Sequence, residues 1–174
     1  MRVCPVGAIE NKPIKIGELQ LGQAGEIDFV SGNLCIGNVR TPKLIEEVKE
    51  YIKKDNTTII DVPPGTSCPV VAAIKNTDYV LLVTEPTPFG LNDLKLAVET
   101  VPLLNVPFGV IINRHGIGDN RVEKFCKEKN INVVLKLPDD RHIGESYSEG
   151  KILVEQLPEY KNIFIELSKT IGIL

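Results

Sequence analysis

Ile59-Ile60-Asp61-Val62-Pro63-Pro64-Gly65-Thr66 is the stretch that decides the fold of this chain. The β-branched run Thr57–Val62 predicts a buried strand, with Asp61 at its carboxyl end. Parallel sheets bind ligands at that end of their strands. An Asp there can hold a magnesium ion, usually through water, because Mg²⁺ keeps much of its hydration shell. Gly65 follows at a turn, where a glycine lets the backbone approach a phosphate and offer its N–H. Pro63 and Pro64 stiffen the segment between. The same residues also read as a strand-ending Asp followed by a plain Pro-Pro-Gly turn.

Helices and strands alternate on the C-terminal side of this stretch. Tyr79–Thr84, Phe108–Asn113 and Val133–Leu137 read as buried strands. Leu91–Val101 reads as a helix that Pro102 ends or kinks. Asn120–Lys129 is a short helix with Val122, Phe125 and Cys126 inward. Asp140–Glu149 and Pro158–Ile171 are helical. On the N-terminal side, Thr41 is the expected cap and Pro42 the first residue of a helix whose apolar face is Leu44, Ile45, Val48 and Ile52. Before it, Lys15–Leu21 and Glu26–Val30 read as a β-hairpin around Gly22 and Gly25, and Ser31-Gly32-Asn33 turns the chain into a further short extended piece, Leu34–Ile36. Apolar strands separated by helices predict an α/β fold with a mostly parallel sheet flanked by helices.

The 174 residues suit one domain, or one domain and a small appendage, and 43% apolar composition is enough for a core. A net charge of −3 supplies no field that would attract nucleic acid. No apolar run approaches the ~20 residues of a membrane span. The N-terminus lacks the apolar region of a signal peptide, so a cytoplasmic location is expected. The cysteines Cys4, Cys35, Cys68 and Cys126 form no Cys-x-x-Cys pair and are expected as free thiols, with Cys68 and Cys126 in the core. His115 and His142 could share a metal, but two turn histidines are the ordinary reading. Asp93 reads as a helix N-terminal acid.

Asn113, at the end of the Phe108 strand, carries both an acceptor and a donor, and on its own reads as a strand-ending turn residue. Arg114 could stack on a base or point to solvent, and backbone groups of Pro138 and Asp139 could complete a pocket.

Four segments in order carry a resemblance. Ile59–Thr66 resembles the Walker B and switch II segment of MinD/Mrp/ParA-type P-loop ATPases, the CobQ/CobB/MinD/ParA nucleotide-binding domains of SIMIBI-type fold. Leu82-Val83-Thr84-Glu85-Pro86-Thr87-Pro88 resembles the next strand and loop, Val110-Ile111-Ile112-Asn113-Arg114 the strand ending in the adenine-contacting Asn, and Leu137-Pro138-Asp139-Asp140 the final base-edge loop. The resemblance implies ATP and Mg²⁺ as ligands. Asp61 would serve Mg²⁺, Gly65 would sense the γ-phosphate, and Pro64, Asn113, Arg114, Pro138 and Asp139 would line the nucleotide.

Cys4-Pro5-Val6-Gly7-Ala8-Ile9 resembles the tail of a ferredoxin motif, Cys-x2-Cys-x2-Cys-x3-Cys-Pro. The subgroup with an inserted ferredoxin is therefore the one this chain resembles, along its length. Cys4 would ligate a 4Fe–4S cluster only in a complete module. Residues 1–12 are then expected as a ferredoxin remnant, 13–38 as a β-hairpin connection, and 39–174 as the C-terminal part of the nucleotide-binding domain. Nothing here resembles the Walker A pattern G-x-x-x-x-G-K-[ST], which grips the phosphates. The sheet is thus expected to be incomplete. The expected partners are a segment carrying Walker A and the ferredoxin, or a sibling ATPase subunit in a homo- or heterodimer. Two functions follow: the ATP-binding half of an ATPase coupled to iron–sulfur chemistry, inactive by itself, or a non-catalytic docking module.

Overall fold

Glycines govern how the N-terminal hairpin packs. In the computed structural model, which describes Pro5, Ala8 and residues 12–173, β1 (Gly17–Ala24) pairs antiparallel with β2 (Ile27–Leu34). Cys4, and most of the expected ferredoxin remnant with it, lies outside the described residues. A Cβ on Gly32 would stand 3.0 Å from both Leu44 Cγ and Val48 Cγ2, so only a glycine lets α1 (Thr41–Lys49) lie this close to the hairpin. Leu44 is buried there. Ser31-Gly32-Asn33 is therefore no turn: Ser31 pairs with Gln20 and Asn33 with Glu18, inside β2. Glycine here serves packing rather than chain reversal. Arg40, not Thr41, precedes the first helical turn, and no side chain caps it.

The chain divides into two compact units, Met1–Ile60 and Asp61–Leu174. The second holds three parallel strands in the order β3 (Val80–Thr84), β4 (Phe108–His115), β5 (Val133–Pro138). Val80 pairs with Phe108, and Val110 with Val133. Connections between parallel strands must cross over, and helices make the crossovers here. α3 (Pro88–Thr100) continues through a 3-10 turn, Val101–Leu104, that contains Pro102, and α4 (Arg121–Glu128) follows β4. Leu94 of α3 and Val122 and Cys126 of α4 pack with Val110 and Ile112, both fully buried, so these two helices cover one face of β4. A second cluster joins Val70 and Ile74 to Val80, Val101 and Val106, with Val62 against it. After β5 come α5 (Arg141–Ser148), α6 (Leu153–Gln156) and α7 (Glu159–Thr170). Among the described residues no helix is long and apolar enough to cross a membrane.

Two local expectations are corrected. Thr57–Val62 joins neither sheet, and Ile59 is 88% exposed rather than buried. β propensity expresses pairing and packing more than intrinsic preference, and no strand lies against the outer edge of β3 among the described residues. Cys68 is exposed rather than in the core, because it opens α2 (Cys68–Ile74), a short helix that periodicity did not reveal. Val70, Ala73 and Ile74 are the residues α2 buries.

Candidate nucleotide site at the strand ends

Parallel pairing brings the carboxyl ends of β3, β4 and β5 to one edge of the sheet. At that edge the β4–β5 register is irregular between Ile112 and His115. Arg114 lies in this irregularity with φ 52°, a left-handed conformation that a long side chain rarely adopts. From there its Nε donates to Asp139 Oδ1 at 3.0 Å, and its Nη1 stands 3.8 Å from Glu85 Oε1. The Asp139 N–H donates to the His115 carbonyl at 3.0 Å. The end of β4 thus meets the residues that follow β3 and β5 through one guanidinium and one backbone bond. Asp139 first, and then Glu85, push the Arg114 pKa further above its usual value. Asn113 sits half-buried one residue before Arg114, and Pro138 is exposed one residue before Asp139.

Asp140 fixes the same loop from its other side. One carboxylate oxygen accepts from the His142 N–H at 2.9 Å, capping α5, and stands 2.9 Å from His142 Nδ1. The other accepts from the Tyr160 phenol of α7 at 2.9 Å. The His142 N–H, then Tyr160, then the His142 ring hold the carboxyl below its usual pKa. His115 and His142 therefore face different carboxylates: His115 Nε2 is 3.3 Å from Glu123 Oε1, which Lys136 also contacts. Among the described residues no group of three or more His, Cys, Asp or Glu could hold a metal.

A cavity of about 180 Å³ lies beside His115, bounded by Pro86, Ile112, Gly118, Asn120 and Glu123. Gly118 closes its loop tightly, since a Cβ there would fall 1.6 Å from the Pro86 carbonyl oxygen. Sequence reasoning missed Glu123 and Tyr160. Each meets its partner across a gap in sequence with no local motif to mark it.

Asp61, Pro64 and Gly65 lie exposed on the segment leading into α2, in the same unit as the strand ends. Val62 anchors that segment to the core. Gly65 has φ 105°, a conformation reserved for glycine, and open space where a Cβ would project. Among the described residues no hydrogen bond or ion pair links Asp61 or Gly65 to Arg114 or Asp139.

An exposed carboxylate and an open glycine backbone fit water-mediated Mg²⁺ and a phosphate oxygen. Half-buried Asn113 beside a clamped loop fits a planar base with hydrogen-bonding edges. A 4Fe–4S cluster needs four ligands, and the described residues offer no such set.

An α/β nucleotide-binding domain is the class of protein that this sheet and its strand-end loops resemble. Its three-stranded parallel sheet and helices are similar to the cell division ATPase MinD of Pyrococcus furiosus, with a TM-score of 0.61 and 26% identity over 75% of this chain and 58% of that one. MinD of Pyrococcus horikoshii OT3, the septum site-determining protein complexed with Mg-ADP, matches with a TM-score of 0.58 and 26% identity over 75% of this chain and 55% of that one. An uncharacterized protein of Methanocaldococcus jannaschii is 36% identical over 148 residues, 81% of this chain and 52% of that protein. The iron–sulfur cluster carrier protein of the same organism is 24% identical over 132 residues, 64% of this chain and 46% of that protein. The chain spans about half the length of the curated relatives it matches. No protein-family model matches it. Together these likenesses support the MinD/ParA-type P-loop superfamily.

Proposed function

We propose that this chain forms the Mg²⁺-positioning and base-reading part of a MinD-superfamily ATP-binding protein coupled to iron–sulfur chemistry. The carrying observation is the contact of Arg114, at the end of β4, with Glu85 after β3 and Asp139 after β5. It gathers charged groups from all three strand ends at the edge where such sheets bind ligands.

In this reading Asp61 orients Mg²⁺ through water, and the Gly65 N–H reports the γ-phosphate. Asn113 reads the adenine edge. Arg114 offers a planar face to the base, and the backbone of Pro138 and Asp139 completes the pocket. Pro63–Pro69 moves with nucleotide state and passes the signal to a partner. Mg²⁺ supplies charge neutralisation at the phosphates when bound. The phosphate grip comes from a segment with a Walker A loop, which also carries the ferredoxin where Cys4 completes a 4Fe–4S ligand set; a sibling ATPase subunit is the other source. The likeness to an iron–sulfur cluster carrier protein supports the iron–sulfur side. A cytoplasmic location accompanies this reading.

Titration of Mg-ATP into the isolated chain tests it first. Very weak binding is expected, because the lysine and amide cradle of Walker A supplies most of the grip on the phosphates; a micromolar Kd would contradict it. In a protein complemented by coexpression with the Walker A segment, Asp61→Ala should abolish Mg²⁺-dependent turnover.

The second reading, a non-catalytic docking module, is favoured by Val83. This apolar residue of the sheet-edge strand β3 is 63% exposed. Under it, Asp61→Ala in the complemented protein would leave partner capture unchanged and no turnover would be present to lose.

A further inference from the structure

Tyr160 is among the most buried residues of α7, at 4% exposure, yet it carries a polar group that must be satisfied. Its phenol meets that need by donating to Asp140, twenty residues earlier, at 2.9 Å. Asp140 spends its second oxygen on the first turn of α5 through the His142 N–H. The preceding residue, Asp139, is bonded to β4 twice, through the Arg114 side chain and the His115 carbonyl. The Pro138–Asp140 loop is therefore pinned to three elements: β4, α5 and α7. Only the α7 contact comes from a side chain that is itself buried.

We propose that Tyr160 is a positioning residue: through Asp140 it holds the Pro138–Asp139 backbone in the register that meets the nucleotide base. This rests on the nucleotide reading above. A phenol suits the role. Its ring is fixed by burial, so its hydroxyl presents the Asp140 carboxylate with a donor at a set height, and a hydrogen bond to a charged acceptor is stronger than a neutral one. Loops at the carboxyl end of a sheet carry function while scaffold residues set their geometry. Tyr160 never touches the base; it acts through Asp140. The surface pair between Arg114 and Asp139 tethers the other side but is solvent-screened, so the phenol supplies the less yielding anchor.

Tyr160→Phe keeps the ring and removes only the hydroxyl. Asp140→Asn keeps one accepting oxygen, enough to cap α5 through the His142 N–H, and replaces the other and the charge with an amide NH2. Amide hydrogen exchange on the full chain, with ¹⁵N shift titrations using adenosine and Mg-ATP at millimolar concentration, reads both variants. In Tyr160→Phe the Asp139 and His142 amides should exchange about tenfold faster, while amides of β3 and β4 keep their rates. Adenosine-induced shifts at Asn113 and Asp139 should then require several-fold more ligand. Asp140→Asn should fall between Tyr160→Phe and the unmodified chain. Unchanged exchange at Asp139 and His142 overturns the inference whatever adenosine does. Faster exchange with unchanged adenosine affinity also overturns it, since the anchor then has no bearing on the base. A complete lack of adenosine shifts in the unmodified chain, with the exchange difference intact, overturns the nucleotide reading and leaves Tyr160 a structural residue only.

Discussion

Arg114 reaches Asp139 across the ends of two neighbouring strands, donating from Nε to Oδ1 at 3.0 Å out of a left-handed backbone. The arrangement costs conformational strain, because a non-glycine residue in that region is disfavoured. It also places the guanidinium 3.8 Å from Glu85, so one side chain at the end of β4 meets the residues that follow both neighbouring strands.

Arg114→Ala should therefore weaken base recognition more than folding. Both acidic partners are substantially exposed, and surface pairs contribute little to stability. In the complemented protein the Kd for Mg-ATP is expected to rise about five- to tenfold, with little change in Tm. Calorimetry and thermal denaturation check the two halves. Arg114→Lys should recover only part of the affinity, since an ammonium lacks the planar fork.

Gly118→Ala should destabilise the second unit by about 1–3 kcal/mol, the usual cost of forcing a methyl into a filled space. The obstruction is the Pro86 carbonyl, 1.6 Å from the added carbon, which is backbone and cannot swing away. Gly144→Ala is the control. It lies in α5 with nothing within 4 Å of an added methyl, so it should stabilise by roughly 0.5–1 kcal/mol. Urea unfolding of both variants decides.

Acid should erode stability partly through Glu123. Lys136 first, and His115 to a smaller degree, hold its pKa below the ordinary 4.5, against a partly opposing effect of burial. A carboxyl with a depressed folded pKa contributes stability that is complete above its unfolded pKa and lost as pH falls through the folded one. The loss should begin near pH 4.5 and continue below it. Asp140 has the same sign, from an ordinary value of 3.8. Glu123→Gln should flatten the upper part of this acid limb. Urea midpoints measured at steps of pH from neutrality downward read the difference.

Thiol chemistry separates two cysteines. Cys68 is exposed and Cys126 is 1% exposed, with burial raising the Cys126 thiol pKa. Ellman's reagent should label Cys68 in the native chain and reach Cys126 only on unfolding. Comparing the chain with its Cys68→Ser variant assigns the fast phase.

Much of the fold was legible because it is local. Tyr79–Thr84, Phe108–Asn113 and Val133–Leu137 are short, mostly apolar runs, and each contains or nearly matches a strand of the sheet. Thr57–Val62 is also rich in β-branched residues and forms no strand, since a ladder needs a neighbour and composition does not supply one. Gly32 read as a turn because its true constraint, the Leu44 and Val48 side chains over it, is a tertiary contact. Asn113, Arg114, Pro138 and Asp139 could be singled out from their places near strand ends together with the family resemblance. That Arg114 bonds Asp139 rather than pointing to solvent could not.

By itself, then, the sequence determined the alternation of strands and helices from Tyr79 onward, because burial patterns and turn chemistry act over a few neighbouring positions. Only the tertiary structure decided which of their residues meet. Arg114 with Asp139, His115 with Glu123, and Tyr160 with Asp140 are pairs brought together by parallel register and helix packing. Those distances depend on how the whole core closes, and no short stretch of residues encodes that closure.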